Sequence, residues 1–264
     1  MQGLEEKQRI EIDYWRTSPE EGPSADSIDN IVDKMSEARV FLDCVSRYRG
    51  ALASTGKVLE LGAGQGWASC IYKRMFPSVQ VTTTDISPYS IMSLPKWERM
   101  LGVKVDASYA CKSYETQEAD ASVAQVFCYA AAHHFLAHRR TLREIERILV
   151  PGGKAFYLYE PATPRYLYRA AHWRVNRKRP EVPEDVLIIP EMRRLAGEAG
   201  MDLRVDYYPS LIKRAPIETI YYLVLSRMPA LGRILTCSAN FIFCKPQSST
   251  RVPESPSPDA GPSC

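Results

Sequence analysis

Three glycines spaced G-x-G-x-G, Gly62, Gly64 and Gly66, directly follow the apolar run Lys57 to Leu61. Glycine tolerates positive φ and lets backbone approach a ligand closely, so such a turn can cradle a nucleotide beyond a strand end. Glu60 lies inside the run, two residues before the first glycine. A carboxylate there favours a cationic ligand and repels a pyrophosphate. The dinucleotide pattern G-x-G-x-x-G also requires glycine at position 67, where this chain has Trp67. Asp85 closes the next β-branched run, TTTD, where it can accept hydrogen bonds from both ribose hydroxyls. A turn that merely caps a strand is the plainer alternative; Glu60, the loop and Asp85 together favour binding. Adjacent His133 and His134 follow the run Ser122 to Tyr129. An imidazole can take a proton from a hydroxyl or simply cap the next helix; His133 is the expected general base.

The surrounding elements decide whether these residues meet. Strands are expected at Lys57–Leu61, Val79–Thr84, Val103–Ala107, Ser122–Tyr129, Lys154–Tyr159, Leu203–Tyr208 and Ala239–Cys244. Helices are expected from Ser27 to Tyr48, with Ile28, Ile31, Met35, Leu42 and Val45 as the apolar face, and over Trp67–Phe76, Arg140–Leu149 and Glu191–Ala199. Ser87-Pro88 reads as an N-cap with a first-turn proline, and Pro151-Gly152-Gly153 as a helix stop. Strands alternating with helices imply an α/β protein with a mostly parallel sheet and helices on both faces.

Formal net charge is +3, too small to point to a nucleic acid. The first nine residues are mostly polar, so no signal peptide is expected there, and no apolar run is long enough to span a bilayer. Seven scattered cysteines without a C-x-x-C pair argue against zinc or a disulfide framework, so no metal and a cytoplasmic setting are expected. Arg165 to Arg179 interleaves basic and aromatic residues, suited to a phosphate, a carboxylate, a membrane surface or plain solvent. Ile217 to Leu235 is largely apolar and is expected to be an inserted helix against the sheet edge or a second subunit, with a lid over an apolar acceptor as the alternative. Tyr14-Trp15 reads as packing, or as a cover over the ligand. Residues 246–264 lack the apolar content to order and are expected to be a disordered tail.

VLELGAGQG, TTTDIS and the long segment Phe127 to Gly153 resemble class I S-adenosylmethionine-dependent methyltransferases, nearest the ubiquinone/menaquinone-biosynthesis type. The resemblance covers Val58 to Pro161 and continues only in outline. It implies a Rossmann-like methyltransferase domain over 1–245, with a helical cap over 1–50 and variable helical inserts at 162–200 and 215–236. By the same resemblance Gly62, Gly64 and Gly66 would pack against the amino-acid part of S-adenosyl-L-methionine. Asp85 would hold the ribose and Ile86 the adenine face, while Tyr129 and Ala130 would line the space near the sulfonium. Two positions depart from the pattern: Lys112 stands near an adenine-contacting acid, and Ala124 where an aspartate is common. The implied activity is methyl transfer to a small, hydrophobic or anionic acceptor, oxygen favoured over nitrogen or carbon. An inactive cofactor-binding scaffold and a nucleotide-dependent oxidoreductase are the rivals; a homodimer and peripheral membrane contact are compatible.

Overall fold

A computed structural model describes residues 3–23, 27–178, 184–212 and 214–247. The segment 248–264, most of the expected tail, lies outside the described residues. Two helices, α1 (Leu4–Thr17) and α2 (Ile28–Tyr48), precede the first strand. There follow β1 (Gly56–Leu61), α3 (Trp67–Met75), β2 (Val79–Asp85), α4 (Pro88–Ile91), α5 (Leu94–Leu101), β3 (Ala107–Ala110) and β4 (Val123–Tyr129). The second half comprises α6 (His138–Ile148), β5 (Leu149–Thr163), α7 (Tyr168–Lys178), β6 (Leu187–Ile188), α8 (Ile189–Glu198), β7 (Asp202–Tyr207), α9 (Pro216–Arg227) and β8 (Cys237–Cys244).

The sheet runs β3-β2-β1-β4-β5-β8-β7, with β6 paired to β5. Pairing is parallel except at β8, which is antiparallel to both β5 and β7. The strands are nearly continuous in apolar residues because both faces are covered. One face packs Phe41, Trp67, Trp97, Phe127 and Phe156 under α2, α3 and α5. The other packs Leu142, Ile145, Leu195 and Phe241 under α6 and α8. From β1 the chain winds outward through β2 to β3, then returns to β4 on the other side. That reversal opens a crevice beyond the carboxyl ends of β1 and β4, where open α/β sheets bind ligands.

Four local expectations are corrected. On α2, Ile28, Met35 and Leu42 are exposed, while Ala38, Phe41, Cys44, Val45 and Tyr48 are buried. The helix carries two apolar stripes, and the one bearing the aromatics faces the sheet, with Phe41 5.4–5.9 Å from the rings of Trp67, Phe127 and Tyr129. The third strand begins at Ala107 rather than Val103, because the amide of Val105 is taken by Glu98 Oε1 at 3.0 Å. Pro151-Gly152-Gly153 does not delay the fifth strand; pairing begins at Leu149 opposite Val123, and Gly152 absorbs the turn at φ 78°. Finally, α8 belongs to the sheet-covering layer and not to an insert, with Met192, Leu195 and Ala196 buried in it. No helix among the described residues is long and apolar enough to cross a membrane.

Candidate active site

The glycine loop is shaped by contacts on both of its sides. Gly62 has φ 68°, and a Cβ there would lie 2.9 Å from that of Ala131 and 3.1 Å from the Phe135 ring. Only glycine lets β1 end against the loop after β4. Gly62 and Gly64 line a cavity of about 290 Å³ at the crevice, together with Glu60, Asp85, Ile86, Tyr129, Ala130 and His133. Gly66 does not line it. It caps α3 at φ 82°, and a Cβ there would meet Leu94 Cδ1 at 2.6 Å, so its part is to seat α3.

Asp85 ties this loop to the end of β2. Its Oδ2 accepts from the amide of Gly64 and its Oδ1 from that of Ser87, each at 2.8 Å. Burial pushes its pKa up, and those amides oppose the rise. Glu60 is equally buried and accepts from the Ser69 hydroxyl; burial pushes it up to about 8, with Asp85 adding to the rise. From α1, Glu11 enters the same cavity and is pushed up to about 7, by burial first and Asp85 second. Trp15 Nε1 donates to Glu11 at 3.2 Å, and the Trp15 ring closes over Gly64, so this tryptophan covers the cavity. Seven carboxylates and two lysines line the wall. Burial and the charge of Asp85 raise Glu11 and Glu60, and a cationic ligand would relieve that repulsion. A pyrophosphate would find the opposite environment.

The loop after β4 carries a second arrangement. Ala130 takes φ 46°, turning the next amides inward. Ala131 and Ala132 donate to Oε1 of the fully buried Glu160 at 2.9 and 2.8 Å, and His133 donates to Oε2 at 3.2 Å. The three amides form a backbone nest around the carboxylate. His133 Nδ1 lies 2.8 Å from the same Oε2. An ionised carboxylate only accepts, so Nδ1 bears the hydrogen and Nε2 is left as the basic nitrogen. Burial alone would lower the His133 pKa, but the bond and charge of Glu160 outweigh it and raise it above 6.5. His134 instead faces Glu11, at 3.6 Å.

A second cavity, of about 440 Å³, adjoins the first. Glu37, Ala130 and His133 line both. Its other walls are α7, through Ala171, Arg174 and Val175, and α9, through Glu218, Tyr221 and Tyr222. The basic-aromatic stretch is thus a cavity wall. The apolar insert is one too: Tyr222 and Leu225 pack against Cys237, while Ile217 and Ile220 face solvent.

Neither departure from the family pattern touches the first cavity. Ala124 sits at the opposite end of the sheet, beside Gly56. Lys112 lies 3.3 Å from Glu115 and over the Tyr114 ring, while Cys111, Ser113 and Tyr114 form the cavity wall. Glu11, Glu37, Glu160 and Arg214 were not anticipated. Glu160 had a signal, an acid interrupting an apolar run as Glu60 does; the others are joined to the site only by the fold. His133, His134 and Glu184 bring possible metal-ligating atoms within 4.8 Å of one another.

The Rossmann-like sheet and the methyltransferase domain within it make this chain an S-adenosylmethionine-dependent methyltransferase. Residues 59–157 match a family model described as a methyltransferase domain. No curated protein matches the sequence. Among solved structures, geranyl diphosphate C-methyltransferase from Streptomyces coelicolor superposes with TM-score 0.63 at 11% identity, covering 90% of this chain and 98% of its own. For a putative sarcosine dimethylglycine methyltransferase from Galdieria sulphuraria the values are 0.59, 18%, 91% and 98%. For phosphoethanolamine N-methyltransferase 2 from Haemonchus contortus they are 0.58, 15%, 89% and 60%. At these identities the likeness is one of fold.

Proposed function

We propose that the chain methylates a hydroxyl of a small molecule seated in the second cavity, with His133 as general base. One observation carries this reading: His133, oriented by Glu160, lines both cavities, so a single imidazole borders cofactor and acceptor alike. The cofactor, when bound, supplies a methyl group on a positively charged sulfur. Glu60 would hold its ammonium and Asp85 its ribose, and Trp15 would exclude water. Holding acceptor and methyl donor in line lowers the entropic part of the barrier, and exclusion of water prevents hydrolysis. The acceptor's hydroxyl proton passes to Nε2 of His133, and the charge formed on the ring is stabilised by Glu160. The motif likeness to the ubiquinone/menaquinone type lies in the cofactor half and supports no particular acceptor.

The test is labelled-methyl transfer across a panel of hydroxylated acceptors, followed by His133→Gln. The variant should bind S-adenosylhomocysteine normally and lose roughly 100- to 10,000-fold in kcat. The wild-type rate should rise with pH through a value above 6.5, because only the neutral ring accepts a proton and Glu160 raises its pKa. An undiminished kcat in the variant would remove His133 from the reaction.

A further inference from the structure

The second cavity contains a cation, Arg214, that no carboxylate among the described residues neutralises. Arg214 donates from Nε to the Ser210 carbonyl at 3.1 Å and from Nη2 to Ser238 Oγ at 2.9 Å. Its guanidinium lies 3.6 Å from the Tyr222 ring centroid and 5.4 Å from that of Tyr159. Stacking and two hydrogen bonds therefore fix its plane, while further N–H donors remain. No carboxylate among the described residues pairs with it. Arg174, on the same cavity, is neutralised by Glu218 at 2.8 Å.

An aromatic wall connects this cation to the cofactor side. Tyr159 stacks on Tyr129 at 5.8 Å and 12° between planes, and Tyr129 lines the first cavity. Tyr159 has φ 59°, a conformation costly for a side chain of this size, held by its amide's 2.8 Å bond to Asn240 Oδ1. At the other end, where the cavities meet, Glu37 takes a 2.7 Å bond from the Tyr129 hydroxyl. That carboxylate repels an anion from the junction, whereas Arg214 lines only the second cavity.

We propose that the second cavity takes a planar aromatic hydroxy acid, its carboxylate on Arg214 and its hydroxyl end toward His133. This rests on the methyl-transfer reading for the role of the hydroxyl, but the recognition of the acid is separable from it. Arg214 is here a specificity determinant: a guanidinium held in a plane forms paired bonds with a carboxylate.

The experiment is ligand-observed NMR titration of the full chain with 4-hydroxybenzoate, phenol and phenyl phosphate, with S-adenosylhomocysteine titrated into the same samples. Wild type should bind 4-hydroxybenzoate at least about tenfold more tightly than phenol. Arg214→Gln should weaken the acid roughly 10- to 100-fold and leave phenol within about twofold. Arg214→Lys keeps the charge and should recover part of the loss, which separates recognition from damage to the fold. Equal binding of phenol and acid, an unchanged preference in Arg214→Gln, or no binding of the acid at millimolar concentration would overturn the proposal. Tighter binding of phenyl phosphate would overturn the carboxylate assignment. A preserved, Arg214-dependent preference for the acid without S-adenosylhomocysteine binding would refute methyl transfer and support this inference.

Discussion

The two cavities meet at His133, yet they are built by different means. The first lies at strand ends, with Glu60 and Gly62 at the end of β1, Asp85 at the end of β2 and Tyr129 and Ala130 at the end of β4, and α1 and α2 close it through Glu11, Trp15 and Glu37. Its wall is acidic; burial raises Glu11, Glu60 and Asp85, and the charge of Asp85 adds to the rise at the first two. The second is enclosed by α7 and α9 against Tyr159 and Pro161 of β5 and Ser238 of β8, and its wall carries three tyrosines and Arg214, which pairs with no carboxylate among the described residues. A site at strand ends is fixed by the sheet and can serve one constant ligand. The helical part of the second wall can change without disturbing the sheet. On the proposed function, the strand ends serve the cofactor, and α7 and α9 supply the variable part of the acceptor wall.

The sharpest way to break this contrast is Asp85→Ala. Asp85 joins the loop to β2, so its loss removes two charge-assisted amide bonds and, on the proposed function, the acceptor for the ribose hydroxyls. At about 1.5–3 kcal/mol for each charged hydrogen bond, S-adenosylhomocysteine affinity should fall about 100-fold or more by calorimetry. Binding of 4-hydroxybenzoate should stay within about threefold. A parallel loss in both ligands would mean the cavities are not independent and the contrast is false.

The acidity of the first wall gives a second expectation, a pH dependence. Glu60 is raised from 4.5 to about 8, so in the free protein it is largely protonated at neutral pH. A raised folded pKa contributes stability that is present below 4.5 and is lost as pH rises toward 8. A cationic ligand stabilises the ionised form and must release the proton. Cofactor affinity should therefore increase with pH between about 6 and 8, by up to about tenfold per unit. Calorimetry in buffers of different ionisation heats should detect proton release at pH 7. Glu60→Gln keeps a partner for Ser69 and should flatten the slope; an equally steep slope would assign the proton to Glu11, raised to about 7.

The same division explains what could be read from the sequence. Glu60, Gly62, Gly64 and Asp85 were legible because each stands at a fixed offset from an apolar run, and the run fixes where the residue emerges. Glu160 carried the same mark but was passed over, because the strand was expected to end at Tyr159 and in fact continues to Thr163. Arg214 carried no such mark. It meets Tyr159 and Ser238 only after β5 and β8 pair antiparallel, a contact between segments remote in sequence. The buried face of α2 was misread because both of its stripes are apolar, and only the rings of Trp67, Phe127 and Tyr129 select between them.

The smallest expected effect concerns Lys112, which by sequence alone replaces an acid that contacts adenine. A buried lysine in that position would oppose binding, and its removal would then improve affinity severalfold. The side chain instead lies against Glu115 and the Tyr114 ring, about two-fifths exposed, outside the wall formed by its neighbours Cys111 and Ser113. An exposed pair of this kind contributes at most about 1 kcal/mol. Lys112→Ala should therefore leave S-adenosylhomocysteine affinity within about twofold, and raising the salt concentration should not separate variant from wild type. A gain of tenfold would place the ammonium in the adenine end of the cavity. Specificity for the base would then depend on a charge rather than on the backbone and small side chains of the Cys111–Ser113 turn.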